Sequence, residues 1–97
     1  MFAVIYKFKI KSGMDSKFEK AWAAMTIEFR DTHGGLGSCL HKDEDGNLIA
    51  YARWPDSQVW KNDKTILNTV AMNEMIECIE KSFPAVPLEV INDLLDK

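Results

Sequence analysis

The first ten residues alternate. Phe2, Val4, Tyr6, Phe8 and Ile10 share one parity, the period of a strand with one face in a core. The opposite parity begins apolar, with Ala3 and Ile5, and ends basic, with Lys7 and Lys9. Both faces of this strand are therefore expected to be covered near its start. KSGMD, residues 11–15, breaks the alternation. Asp15 or Ser16 is predicted to cap a helix, because a side-chain oxygen there can accept from an orphan backbone N–H. Phe18, Trp22, Met25 and Phe29 then recur at helical spacing, flanked by Ala21 and Ala24, while Glu19, Lys20, Glu28 and Arg30 are assigned to the water side. The helix is expected to stop near His33, where Gly34 can adopt the left-handed conformation of a helix C-terminus.

Residues 36–42 and 48–54 read as two strands joined by the turn DEDGN, an antiparallel hairpin. Pro55 ends the second of them, and Asp56 or Ser57 can cap a short helix over 57–63. A longer helix is predicted over about 66–82. Its apolar stripe is Met72, Met75, Ile76 and Ile79, with Val70 and Phe83 at the ends. Pro84 and Pro87 bracket its exit, and LEVINDLL, residues 88–95, reads as a final strand, with a helical ending over the last few residues as the alternative. The order β-α-β-β-α-β is that of an α+β, ferredoxin-like fold: a four-stranded antiparallel sheet with helices on one face. The mixed first strand, and a third strand apolar at nearly every position, suggest that the other sheet face is covered as well. A second copy of the same sheet is the simplest cover, which makes a homodimer through the sheet face the expected partner.

Length and composition narrow the function classes. The 97 residues are read as a single domain spanning 1–97, with 46% hydrophobic and 28% charged residues, an ordinary globular balance. The net charge of −3 argues against a nucleic-acid partner, and the basic positions Lys7, Lys9 and Lys11 read as the wet end of one strand face. No apolar run reaches membrane-spanning length and the N-terminus does not read as a signal peptide, so the expectation is a cytoplasmic protein with no membrane partner. Cys39 and Cys78 are then expected to be reduced thiols, and two cysteines make neither a disulfide framework nor a zinc site.

KSGM before the first helix, then LGSCLH, a turn, YARWP and SQVW, resemble the antibiotic biosynthesis monooxygenase (ABM) domain family over essentially the whole chain. The resemblance implies a dimeric α+β barrel. Members of that family include cofactor-independent monooxygenases of polycyclic phenols, haem-degrading proteins and proteins acting on quinols or small signalling molecules. It also implies a pocket between the sheet and the helices, with Trp54 matching a position that lines it. Haem-degrading members carry a histidine on the long second helix and an asparagine on the first strand. Residues 57–83 here contain no histidine, and residues 2–10 no asparagine. The histidine that commonly follows the short helix is replaced by KNDK, residues 61–64.

The candidate site follows from side-chain chemistry. Trp54 offers a flat wall and an indole N–H for a substrate oxygen; its bland reading is a core or interface tryptophan. His41 is the candidate catalytic base, an imidazole titrating near neutral pH, against the reading of a half-exposed structural histidine. Cys39 lies two residues away on the same face, at a spacing too long for a direct hydrogen bond. Tyr6 and Tyr51 could orient a phenolic substrate, and Trp60 could close over it. Trp22 and Met72, with Met25, Phe29 and Met75, could line an apolar pocket or simply fill the core. His33 reads as an exposed cap residue. HGGLG follows a helix and precedes a strand, the wrong order for a phosphate loop, and no flavin or nicotinamide fingerprint is present. No cofactor is expected. An oxygenase built this way must draw its electrons from the substrate, which restricts it to small phenols, anthrones or quinols. The alternatives are a non-catalytic dimeric module, ligand-binding or stress-related, holding an apolar ligand in the same pocket, and haem binding with His41 or His33 as the axial ligand.

Overall fold

A computed structural model describes residues 1–95. The elements are β1 (Phe2–Ile10), α1 (Asp15–Thr32), β2 (Ser38–Lys42), β3 (Leu48–Trp54), α2 (Ser57–Lys61), α3 (Thr69–Cys78), β4 (Ile79–Ser82) and β5 (Val86–Glu89). Every strand pairing is antiparallel and the sheet order is β2-β3-β1, with β4 and β5 both on the far side of β1. The helices lie on one face, giving the ferredoxin-like α+β architecture.

The fourth strand is broken in two. β5 pairs with Phe2–Ile5 and β4 with Phe8–Ile10, and the register shifts between Lys9 and Ile10. Here the structure corrects the sequence reading twice. The long helix ends at Cys78 rather than near 82, and the last strand is Val86–Glu89 rather than 88–95. Continuing the helix would leave the backbone of Phe8–Ile10 unpaired on one edge. The ladder satisfies those groups, and Phe83 N–H extends it to the carbonyl of Lys7 at 3.0 Å. Ile79 packs against the core in either conformation, which is why its helical spacing misleads. Pro87 is tolerated because β5 is an edge strand.

α1 carries its stripe as expected, with Phe18 and Met25 fully buried and Trp22 and Phe29 half-buried. Its cap differs from the prediction. Asp15 already lies in the first turn, where a carboxylate favours the positive helix end, and Met14 caps the helix without a side-chain bond. Glu28 is buried rather than wet. On α3 the exposed Val70 and Ile76 leave the predicted stripe, and Ala71 and Cys78 take their place in the core. At the other end of α1, Gly34 has φ +82°, and a Cβ there would sit 3.0 Å from Val59 Cγ1, so glycine is required at this corner.

Two apolar clusters flank the middle of the sheet. Val4, Ala52 and Trp54 anchor one, with Phe2, Tyr6, Phe29, Val59 and Trp60 against it. Phe18, Leu48 and Cys78 anchor the other. Ala3 faces away from the helices yet is buried. The segment 90–95 crosses that corner: Val90 N–H donates to Met1 O, and Arg53, the cross-strand neighbour of Ala3, donates to Asp93 at 2.8 Å. Among the described residues no helix is long and apolar enough to cross a membrane.

Candidate functional site

Leu48, Ala50, Ala52 and Trp54 are the side chains that β3 turns toward the helices, and all four are buried. The alanines make room. In register, Ala50 lies between Leu40 and Tyr6, and Ala52 between Ser38 and Val4. Small residues at the centre of a sheet roofed by helices leave volume that the larger Leu48 and Trp54 on either side cannot fill. The result is a cavity of about 400 Å³ between the two apolar clusters.

Five predicted pocket residues border this cavity: Tyr6 from β1, Trp22 from α1, Trp54 from β3, Trp60 from α2 and Met72 from α3. Phe29 stands between two of the walls, 6.1 Å from the Trp54 ring in an edge-on contact. The structure does not bring His41 or Tyr51 to this site. Strand parity excludes both. Ser38 and Leu40 pair with Ala52 and Ala50 on the helix side, so Cys39 and His41, paired with Tyr51 and Ile49, point to the other face. His41 is exposed, with Nδ1 3.2 Å from the carbonyl of Ile49. The Tyr51 hydroxyl accepts from Arg53 Nη1 at 3.3 Å and borders a second recess beneath residues 90–95. His33 does not border the cavity either; its Nε2 lies 2.8 Å from Glu28 Oε2.

The cavity wall carries hydrogen-bond donors. Tyr6 Oη accepts from Trp60 Nε1 at 2.8 Å, and its own proton has no acceptor among the described residues. Burial pushes the Tyr6 phenol up from its ordinary range, against the opposing pull of the Trp60 bond, so it stays protonated as a donor. Among the described residues, Trp54 Nε1 and Ser38 Oγ are buried without a hydrogen-bond partner, as is Arg53 Nε. Such groups are uncommon in folded proteins, and each costs about 1–3 kcal/mol unless something outside the chain meets it.

Sequence reasoning did not single out Lys64, which also borders the cavity. Its ammonium donates to the carbonyls of Val59 (2.9 Å), Trp60 (2.8 Å) and Asn62 (2.8 Å), closing the C-terminal end of α2 where a cation is favoured. It sits 4.8 Å from the centre of the Trp54 ring, in reach of a cation–π contact. The signal in the sequence was KNDK itself, standing where a histidine is common in the resembling family.

Glu28 was also missed. Its carboxylate accepts from Asn68 N–H (2.6 Å) and Leu67 N–H (3.0 Å) and meets His33, tying the start of α3 to α1. Burial by itself would raise this carboxyl. The bonds from Asn68, His33 and Leu67 and the charge of His33 outweigh it and hold the group below its ordinary value.

No protein-family model matches the chain, and no curated protein matches it. Solved structures share its fold. A protein of Bordetella bronchiseptica assigned as an antibiotic biosynthesis monooxygenase superposes with a TM-score of 0.79 at 15% identity, covering 94% of this chain and 97% of that one. A Caulobacter crescentus protein of the same assignment gives 0.78 at 15% identity, covering 94% and 90%. SnoaB, a cofactor-independent oxygenase from Streptomyces nogalater, gives 0.76 at 14% identity, covering 98% and 97%. At these identities the likeness establishes the fold.

Proposed function

We propose that this chain, which has the fold of the antibiotic biosynthesis monooxygenases, is a cofactor-independent oxygenase of a small aromatic substrate bound in the cavity between sheet and helices. The observation that carries the reading is the cavity itself. It is walled by aromatic side chains and set with donors, of which Tyr6, Trp54 and Ser38 each have a proton to give. A flat ring bearing an acceptor oxygen satisfies both features. An electron-rich substrate of the anthrone type supplies all the electrons. Its ring-CH₂ carbon loses two hydrogens and gains one oxygen atom as a carbonyl, and the second atom of O₂ leaves with those hydrogens as water. The protein's part is to orient the ring and exclude water.

Oxygen uptake without added cofactor, against a panel of anthrones, naphthols and hydroquinones, tests this. Saturable uptake above autoxidation is expected. Tyr6→Phe should lower kcat/KM about tenfold to a hundredfold, the value of a hydrogen bond to a charged oxygen. A rate unchanged by Tyr6→Phe and by Trp54→Ala would remove the cavity from the reaction.

One observation favours a second reading, a binding module without turnover. Among the described residues bordering the cavity there is no histidine, aspartate or glutamate to act as base. A flat oxygen-uptake panel together with ligand-induced rises in Tm would select that reading.

The same proposal extends to assembly. The sheet face away from the helices carries Ile5, Ile49, Val86 and Leu88, the last two 48% and 40% exposed, and the adjoining tail presents Ile91 at 95%. Two copies pairing through this face would bury what a single chain leaves wet.

A further inference from the structure

We infer that the cavity takes its aromatic ligand as the oxyanion, and that Lys64 is the residue that selects that form. The inference rests on the cavity being a site for small aromatic molecules, as proposed above, and names the ionisation state that such a site accepts.

Three observations carry it. First, the charge that the cavity meets is positive. Lys64 and Arg53 border it, but Arg53 stands opposite Ala3 in register and turns its guanidinium to the other sheet face with Tyr51, so Lys64 supplies the charge on the helix side; Tyr6 is the one other titratable side chain, and no carboxylate borders the space among the described residues. Second, that charge is not neutralised. The Arg53 guanidinium, on the far sheet face, is committed to Asp93 at 2.8 Å. Lys64 makes no ion pair among the described residues. Its three donors are spent on the neutral carbonyls of Val59, Trp60 and Asn62, which fix the position of the charge without cancelling it. A cation held in a partly buried place beside an apolar space attracts an anion far more strongly than the same cation in water. Third, the remaining polar groups can give protons to that anion. Tyr6 accepts from Trp60 and is left with a proton to donate, and the buried Trp54 Nε1 and Ser38 Oγ have no partner among the described residues.

This arrangement also answers the missing base. Where no side chain in the cavity removes a proton, a site that binds the oxyanion preferentially makes the bound phenol a stronger acid, and water can take the proton as the ligand enters. Lys64 is then a positioning residue that works through its charge, because its N–H groups are already used. An apolar cavity without such a charge would do the opposite and favour the neutral phenol.

The test reads the ionisation of a bound chromophore and needs no turnover. 4-Nitrophenol, whose phenol and phenolate absorb at different wavelengths, is titrated with pH in the presence of excess full-length protein. The wild type should bind phenolate over phenol about tenfold more favourably than water does, a fall of about one unit in the pKa of the bound dye. Lys64→Met keeps the apolar stem against Trp54 and should still bind the dye, with that preference lost or reversed. Lys64→Arg restores a charge and should restore the preference. Thermal melts of the three proteins establish that each is folded. Should Lys64→Met fail to fold, Lys64→Gln, which keeps N–H donors for the carbonyls and removes the charge, carries the comparison, again with the preference lost.

An unshifted or raised pKa of the dye on the wild type overturns the inference, as does an equal shift in wild type and Lys64→Met. Tighter binding of an alkyl carboxylate than of 2-naphtholate overturns the aromatic ligand class. No binding of any phenol overturns both this inference and the oxygenase reading. A lowered dye pKa with a flat oxygen-uptake panel sinks the oxygenase reading alone, and turnover with an unshifted dye sinks the inference alone.

Discussion

Glu28 shows how one side chain can set the shape of a site it does not touch. Its carboxylate accepts the N–H groups of Leu67 and Asn68 and meets His33, so the loop that carries Lys64 and the start of α3 are tied to α1. Because the folded carboxyl titrates below its ordinary value of 4.5, its contribution to stability is fully present above that value and is lost as pH falls through the folded one. Glu28→Gln should therefore lower the Tm at neutral pH, and the gap to wild type should narrow as the pH drops below about 4.5. Thermal melts across that range check it; a gap independent of pH would mean the carboxylate charge plays no part. Its charge placed Glu28 on the water side in the sequence reading, although it lies three residues after Met25 and seven after Ala21, on the flank of the buried stripe. The backbone amides that make its burial tolerable lie about forty residues away.

At the scale of the element, β3 explains the cavity. The run Leu48, Ala50, Ala52, Trp54 is legible as an inward face, but its small members look like ordinary strand alanines until the register sets them beside Ser38, Leu40, Val4 and Tyr6. Ala52→Leu should fill part of the void. Added methylenes enter unfilled space, so the Tm should hold or rise, with about 0.8 kcal/mol per CH₂ newly buried as the upper limit, while binding of a naphthol falls to background in the same protein. Retained binding would mean the ligand sits elsewhere. α3 makes a second point. Asn68 Oδ1 accepts from Ala71 N–H at 3.0 Å, a side-chain cap that should cost about 1 kcal/mol in Asn68→Ala, read by denaturant unfolding. The sequence reading began this helix at about 66 without naming Asn68, although an asparagine is a capping residue type and the true start at Thr69 was open to it. Its end at Cys78 was not, because the choice between one more helical turn and a strand was made by the free edge of β1.

At the scale of the molecule, a chain of this size buries a modest share of its surface, and the outer sheet face is where a further share is available. Sedimentation equilibrium should give twice the chain mass at micromolar concentration, and Leu88→Asp, which places a charge on that face, should return the protein to a monomer with its far-UV circular dichroism intact. A wild-type monomer would assign the exposed Val86, Leu88 and Ile91 to some other role. His41 and Tyr51 lie on or beside this face. Their expected place in the cavity failed for a simple reason: side chains one residue apart on a strand point to opposite faces, and Ser38, Ala50 and Ala52 already occupied the inner one.

The sequence by itself determined the order of strands and helices, the hairpin about Gly46, the glycine that ends α1 and the aromatic residues that gather over the sheet. Each depends on short-range periodicity or on one residue's backbone freedom. Trp54, Trp22, Tyr6, Trp60 and Met72 were legible as wall residues because large apolar side chains on the inward face of adjacent elements must meet. Only the tertiary structure decided which strand parity faced the helices, where α3 gave way to β4, that Glu28 turned inward and that Lys64 lies against Trp54. Those outcomes depend on groups brought together from distant parts of the chain: an unpaired strand edge, two backbone amides in need of an acceptor, and the open carbonyls at the end of α2. Periodicity cannot see them, since each is satisfied by whichever partner the finished fold places within reach.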